Sequence, residues 1–126
     1  MLIHLDTSLL VDGFTGARKS LPAILEATAA GEVVMFSTLV LYEWLRGPRR
    51  NNEVEAVERF LAGVFLPAFG EREARIAATL YRRVTGARRR QADLAVAACA
   101  LEHGASLWTL NPKDFRDIPG LTLYSG

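Results

Sequence analysis

Apolar residues along this chain fall into two rhythms. The first is the short, solid run. Leu2-Ile3-His4-Leu5 ends at Asp6, Val33-Val34-Met35-Phe36 ends at Ser37, and Val64-Phe65-Leu66 stops at Pro67. Ser106-Leu107-Trp108-Thr109 and Leu121-Thr122-Leu123-Tyr124 complete the set. Runs of this length predict buried strands. The second rhythm is helical. Leu9-Leu10-Val11 opens a short helix or turn that ends near Gly13 and Gly16. Leu21 to Ala30 is helical and stops at Gly31, and a helix capped by Ser37 or Thr38 runs to Arg46, closed by Gly47-Pro48. Glu53 to Ala62 carries Val54, Val57, Phe60 and Leu61 on one side. Glu71 to Val84 is expected to turn Ala74, Ala77, Ala78 and Leu80-Tyr81 inward, and Gln91 to His103 stops at Gly104. Arg49 to Asn52 is the most polar connection and is expected to be a loop.

Strands that alternate with helices imply a parallel sheet covered on both faces, because each crossover lays a helix on the sheet. The expected class is therefore α/β, with about five strands. The length, 126 residues, suits one domain spanning 1–126. No repeat, linker or low-complexity segment divides it.

In an open parallel sheet, ligands gather beyond the carboxyl ends of the strands. Asp6 follows the first strand, Ser37 and Thr38 the second, and Thr109 and Asn111 the Ser106 strand. Two further acids stand out. Glu43 is the only charged residue from Val33 to Leu45. Asp93 has Val96, Ala97, Ala100 and Leu101 at helical spacing below it, which puts it on the apolar face of its helix. Each has an ordinary alternative. Asp6 can cap the helix after it, Glu43 can pair with Arg46 at i+3, and Asp93 can answer the helix dipole for about 0.3–1 kcal/mol. Together they are acids from separate elements on one sheet edge. Converging carboxylates raise one another's pKa unless a cation separates them. An all-oxygen donor set suits Mg²⁺ or Mn²⁺ rather than Zn²⁺. His4 and His103 have no partner at ligand spacing and are expected to be structural or exposed.

Net charge is +1, so bulk charge does not point to nucleic acid. The bases are mostly arginine: of 15, only Lys19 and Lys113 are lysine. That bias suits phosphate binding, and equally a genome that favours arginine codons. The single cysteine, Cys99, excludes an internal disulfide, and a reducing, cytoplasmic location is expected. The start, MLIHLD, has no basic leader, and no apolar run approaches the ~18 residues of a membrane span.

Three segments resemble one family. "LIHLDTSLLVD", "FSTLVLYEWLRG" and "QADLAVAACALEHGASLWTLNPKDF" are similar, in order and spacing, to PIN-domain proteins, and more closely to the VapC-type toxins of toxin–antitoxin pairs. The resemblance implies a three-layer α/β fold with a parallel central sheet flanked by helices. It also implies a Mg²⁺- or Mn²⁺-dependent endoribonuclease, neutralised by a cognate antitoxin and homodimeric. On it, Asp6, Glu43 and Asp93 fall on the metal-binding, catalytic acids. A fourth acidic position is occupied by the amide of Asn111, with Asp114 three residues on. Thr7, Ser8 and Thr109 are then expected to position the carboxylates or a phosphate, and Asn111 a water. Arg46, Arg88, Arg89 and Arg90 are expected to meet the RNA backbone. Exposed apolar residues on the helices that carry Val54 and Ala74 are candidate dimer surface. The rival reading is a PIN-like module that binds RNA or protein without cutting. Other phosphoryl-transfer classes fail on residues: position 8 is Ser where a haloacid-dehalogenase phosphatase needs a second Asp, the receiver acids are absent, and no Walker loop occurs.

Overall fold

The computed structural model describes residues 1–126. Its elements, in order, are β1 (Leu2–Leu5), α1 (Thr7–Phe14), α2 (Leu21–Ala29), β2 (Val33–Met35), α3 (Thr38–Arg46), α4 (Asn51–Leu61), α5 (Glu71–Arg83), a 3-10 turn (Ala87–Arg89), α6 (Gln91–Glu102), β3 (Ser106–Trp108) and a second 3-10 turn (Pro112–Asp114). The strands are parallel, in the order β2-β1-β3. Successive strand residues point to opposite faces, and Ile3, His4 and Leu5 are all fully buried. Both faces of β1 are therefore covered, which gives the helix–sheet–helix layering.

The sheet has three strands, not five. The segments at Phe65 and Leu123 touch its two edges through one parallel bridge each, to Met35 and Leu107. The reasons are local. Pro67 has no N–H to extend a ladder beyond Leu66. β3 is three residues long and offers the last segment one residue: Leu107 N–H donates to Thr122 O and Tyr124 N–H to Leu107 O, each at 2.8 Å. Two helices also start earlier than the periodicity suggests. α1 begins at Thr7, directly after Asp6. α4 begins at Asn51, inside the expected loop, because the Glu53 carboxylate accepts the Arg50 N–H at 2.8 Å and satisfies a free donor of the first turn.

A single cluster of 25 buried apolar residues forms the core. α6 is its central helix: Leu94 and every residue from Val96 to Ala100 are buried. It packs along α5 and touches α3. Cys99 lies inside this helix, and burial pushes its thiol up to about 11, which keeps it inert. His4 accepts the Ser37 N–H on Nε2 at 3.2 Å, with Nδ1 directed to Leu5 O. Burial holds its pKa down to about 4, so it stays neutral and ties β1 to the start of α3. His103 packs edge-on to Phe65, 5.3 Å between ring centres.

α3 is anchored by Trp44, which is fully buried and meets Phe14 edge to face at 6.5 Å. Trp44→Ala removes that anchor. It is expected to lower stability by about 3–5 kcal/mol, measured by urea unfolding; a loss below about 1 kcal/mol contradicts the assigned role.

Candidate active site

The geometry answers the ordinary reading of Asp6 first. It occupies the residue before α1, but its side chain makes no capping bond. Instead the carboxylate, almost fully buried, accepts two hydroxyls on the same oxygen. Thr109 Oγ1 donates to Oδ2 at 2.7 Å and Ser8 Oγ at 3.0 Å. Those hydroxyls are oriented in turn by backbone amides: Leu110 N–H donates to Ser8 Oγ at 3.1 Å, and Asn111 N–H to Thr109 Oγ1 at 3.0 Å. The Asp6 N–H is itself bonded to Trp108 O. The loop after β3 therefore holds Asp6 in one orientation and leaves Oδ1 free. This is the role the structure finds for Thr109 and Ser8. Asn111 takes part through its backbone, while its side chain is exposed.

Glu43 projects from α3 toward α1, where Thr7 Oγ1 donates to Oε1 at 2.7 Å. Arg46 lies 3.7 Å from Oε2, one turn on. The i+3 pair with Arg46 is therefore present, alongside the Thr7 bond. The Arg46 pair is solvated and contributes only tenths of a kcal/mol; the Thr7 bond aims the carboxylate at the cleft.

Asp93 sits in the first turn of α6, half-buried at the open end of a buried helix. Burial first, then the charges of Asp6, Asp114 and Glu43, push its carboxyl up to about 6, against the pull of Arg90. Asp114, in the second 3-10 turn, thus lies near enough for its charge to act on Asp93. Asp6, Glu43 and Asp114 lie near enough for their charges to act on Asp93, yet no three acid, imidazole or thiol groups close around one point at ligating distance. Their chemistry fits a hard divalent cation: every donor is a carboxylate oxygen, and the repulsion felt at Asp93 is of the kind that a cation relieves.

The arginines divide. Arg90 does not stand free at the rim. Its guanidinium forks onto Asp117 at 2.6 and 2.8 Å and donates to the carbonyls of Thr85 and Asp114. It clasps the Asp114 turn to the start of α6, so its guanidinium is engaged within the fold. Arg88 and Arg89 are exposed on the 3-10 turn. Asp117 was not foreseen, because an ion pair across 27 residues leaves no local pattern.

The PIN domain family matches residues 3–121. The chain belongs to the PIN-domain family, within its VapC type. Two curated relatives, each named Ribonuclease VapC19 and from two strains of Mycobacterium tuberculosis, are 33% identical over 119 residues, covering 93% of this chain and 94% of theirs. The fold is similar to the crystal structure of VapBC2 from Rickettsia felis bound to a promoter DNA fragment, with a TM-score of 0.79, 23% identity and 98% of each chain covered. DNA-bound VapBC from Salmonella typhimurium gives 0.78 at 18% identity with 98% of each chain covered, and a toxin–antitoxin complex from Klebsiella pneumoniae 0.73 at 23% with 98% of this chain and 99% of that one. At these identities the structural likeness is one of fold.

The Asp93 shift has a consequence for stability. Between the ordinary value of 3.8 and about 6, the folded chain holds a proton that the unfolded chain has lost. Stability from this group is thus highest in acid and falls as pH rises through that window. Without divalent cations, Asp93→Asn is expected to be more stable than the parent by about 1 kcal/mol at about pH 7.5, after allowance for solvent screening. The gap closes near about pH 4. Thermal unfolding across pH measures it; a variant less stable at neutral pH contradicts the repulsion.

Proposed function

We propose that this protein is a metal-dependent endoribonuclease toxin that hydrolyses RNA phosphodiester bonds and is neutralised by a cognate antitoxin. The observation that carries the reading is the set of acids near the carboxyl ends of β1 and β3, where the charges of Asp6, Asp114 and Glu43 act on Asp93. Relatives named ribonucleases and a fold shared with toxin–antitoxin complexes support it.

Asp6 and Asp93 are the residues that would hold Mg²⁺ or Mn²⁺, with Glu43 and Asp114 beside them. Such an ion, when bound, polarises a phosphoryl oxygen and acidifies a water. The chain's own residues do the rest. Thr109 and Ser8 fix Asp6 so that Oδ1 faces the cleft. Thr7 orients Glu43, whose carboxylate would accept a proton from the attacking water. Asp93, near about 6, is already mostly ionised at neutral pH and would meet a cation as a carboxylate. Arg90 anchors Asp114 through its carbonyl. Arg46, beside Glu43, is exposed and placed to meet a phosphate. No helix is long and apolar enough to cross a membrane.

Purified protein is expected to cut single-stranded RNA with Mn²⁺ or Mg²⁺ and to stop in EDTA. Asp93→Asn is expected to lose about 100-fold or more in rate with an unchanged circular dichroism spectrum. Full activity in that variant, or in EDTA, contradicts the proposal. RNA binding with no cleavage under any divalent ion would instead identify a binding module.

A further inference from the structure

The acids of the cleft repel RNA phosphates, so a substrate needs positive charge beside them. The sequence points to Arg46 beside Glu43 and to Arg88 to Arg90 on the α6 side, but Arg90 is engaged with Asp117. The opposite side carries the stronger arrangement. A hollow of about 540 Å³ opens directly from Thr7 and Ser8 and is edged by Arg18 and Lys19. A second, of about 380 Å³, is edged by Arg49 and Arg50, and Thr15 lines both. The two hollows adjoin at Thr15; the first begins at Thr7 and Ser8, which bond Glu43 and Asp6, and together they make a groove edged by four bases. Its acids are Asp12, which accepts the Ser20 hydroxyl, and Glu53, which caps α4. None of the four bases forms a salt bridge.

Two of these bases are held in ways that ordinary surface charges are not. Arg49 lies with its guanidinium 4.3 Å from the centre of the Trp44 ring. Gly47 makes room for it: a Cβ at that glycine would come within 2.7 Å of the Arg49 Nη2. Stacking on a buried indole orients the planar fork without occupying all its donors. Arg18 is the only residue other than glycine with positive φ, at +53°. A side-chain-bearing residue rarely adopts that conformation without a reason outside local stability.

We infer that this groove binds the sugar-phosphate backbone of single-stranded RNA as it leaves the cleft, with Arg18, Lys19 and Arg49 on successive phosphates. The inference rests on the ribonuclease reading above for its choice of ligand. Backbone contacts of this kind position a strand without selecting its sequence. The test measures binding of a fluorescent single-stranded 12-nucleotide RNA to the full chain in EDTA, where cutting is blocked, across a series of salt concentrations. Arg18→Gly and Lys19→Ala are each expected to weaken binding about fivefold and to reduce the salt slope by about 0.7, the value for one phosphate contact on a single strand. Arg18→Gly relieves the backbone, so its melting temperature is expected to hold or rise while RNA binding falls. Arg49→Lys keeps the charge but loses the stacked fork and is expected to weaken binding too. Unchanged affinity and salt slope in both Arg18→Gly and Lys19→Ala overturn the inference. The two readings fail separately. If the parent never cuts RNA but these variants bind it less well, the groove stands and the nuclease reading falls. If the parent cuts and the variants bind as it does, the reverse holds.

Discussion

Like charges confined to one sheet edge repel, and a folded chain keeps them there only if the surroundings hold each one in place. In this protein burial, and then the charges of Asp6, Asp114 and Glu43, push the Asp93 carboxyl up to about 6. Much of the local structure is explained by that constraint. Asp6 is gripped by two hydroxyls that are themselves fixed by amides of the loop after β3. Glu43 is gripped by Thr7 from a neighbouring helix. Asp93 stands on the first turn of the helix most deeply embedded in the core, so it cannot retreat. Arg90 closes the ring from behind by clasping the Asp114 turn through Asp117.

The same constraint orders the sheet edges. β1 carries Asp6 into the cleft between two neighbours, and its buried His4 stays neutral to pin the start of α3. α3 then delivers Glu43 on one face while Trp44 anchors the other in the core and carries Arg49 on its ring. One helix thus links the acid wall to the basic groove beside it.

A good part of this was legible in the residues. Solid apolar runs marked β1, β2 and β3, since a strand buried on both faces needs apolar side chains throughout. Asp6, Glu43 and Asp93 were visible because each is an isolated charge at a strand end or in an apolar helix. What periodicity could not show was pairing. A run such as Leu121 to Tyr124 looks like a strand, yet whether it pairs along its length depends on how far β3 extends, and β3 ends after three residues. The oxygen on Asp6 that is occupied, the fork of Arg90 on Asp117 and the stacking of Arg49 on Trp44 are contacts of tertiary structure. So is the positive φ of Arg18, set by a turn whose glycine neighbours hinted at a bend but not at which residue would take the left-handed conformation.

The central claim is that the cleft acids are held close enough to repel one another and that a divalent cation relieves them. The most direct measurement is the Asp93 carboxyl titrated by carbon-13 NMR, alone and with saturating Mg²⁺. The account predicts a midpoint near about 6 in the free protein and a fall below the ordinary carboxylate range with Mg²⁺. A midpoint at the ordinary value without the ion, or one that Mg²⁺ leaves unmoved, would contradict it.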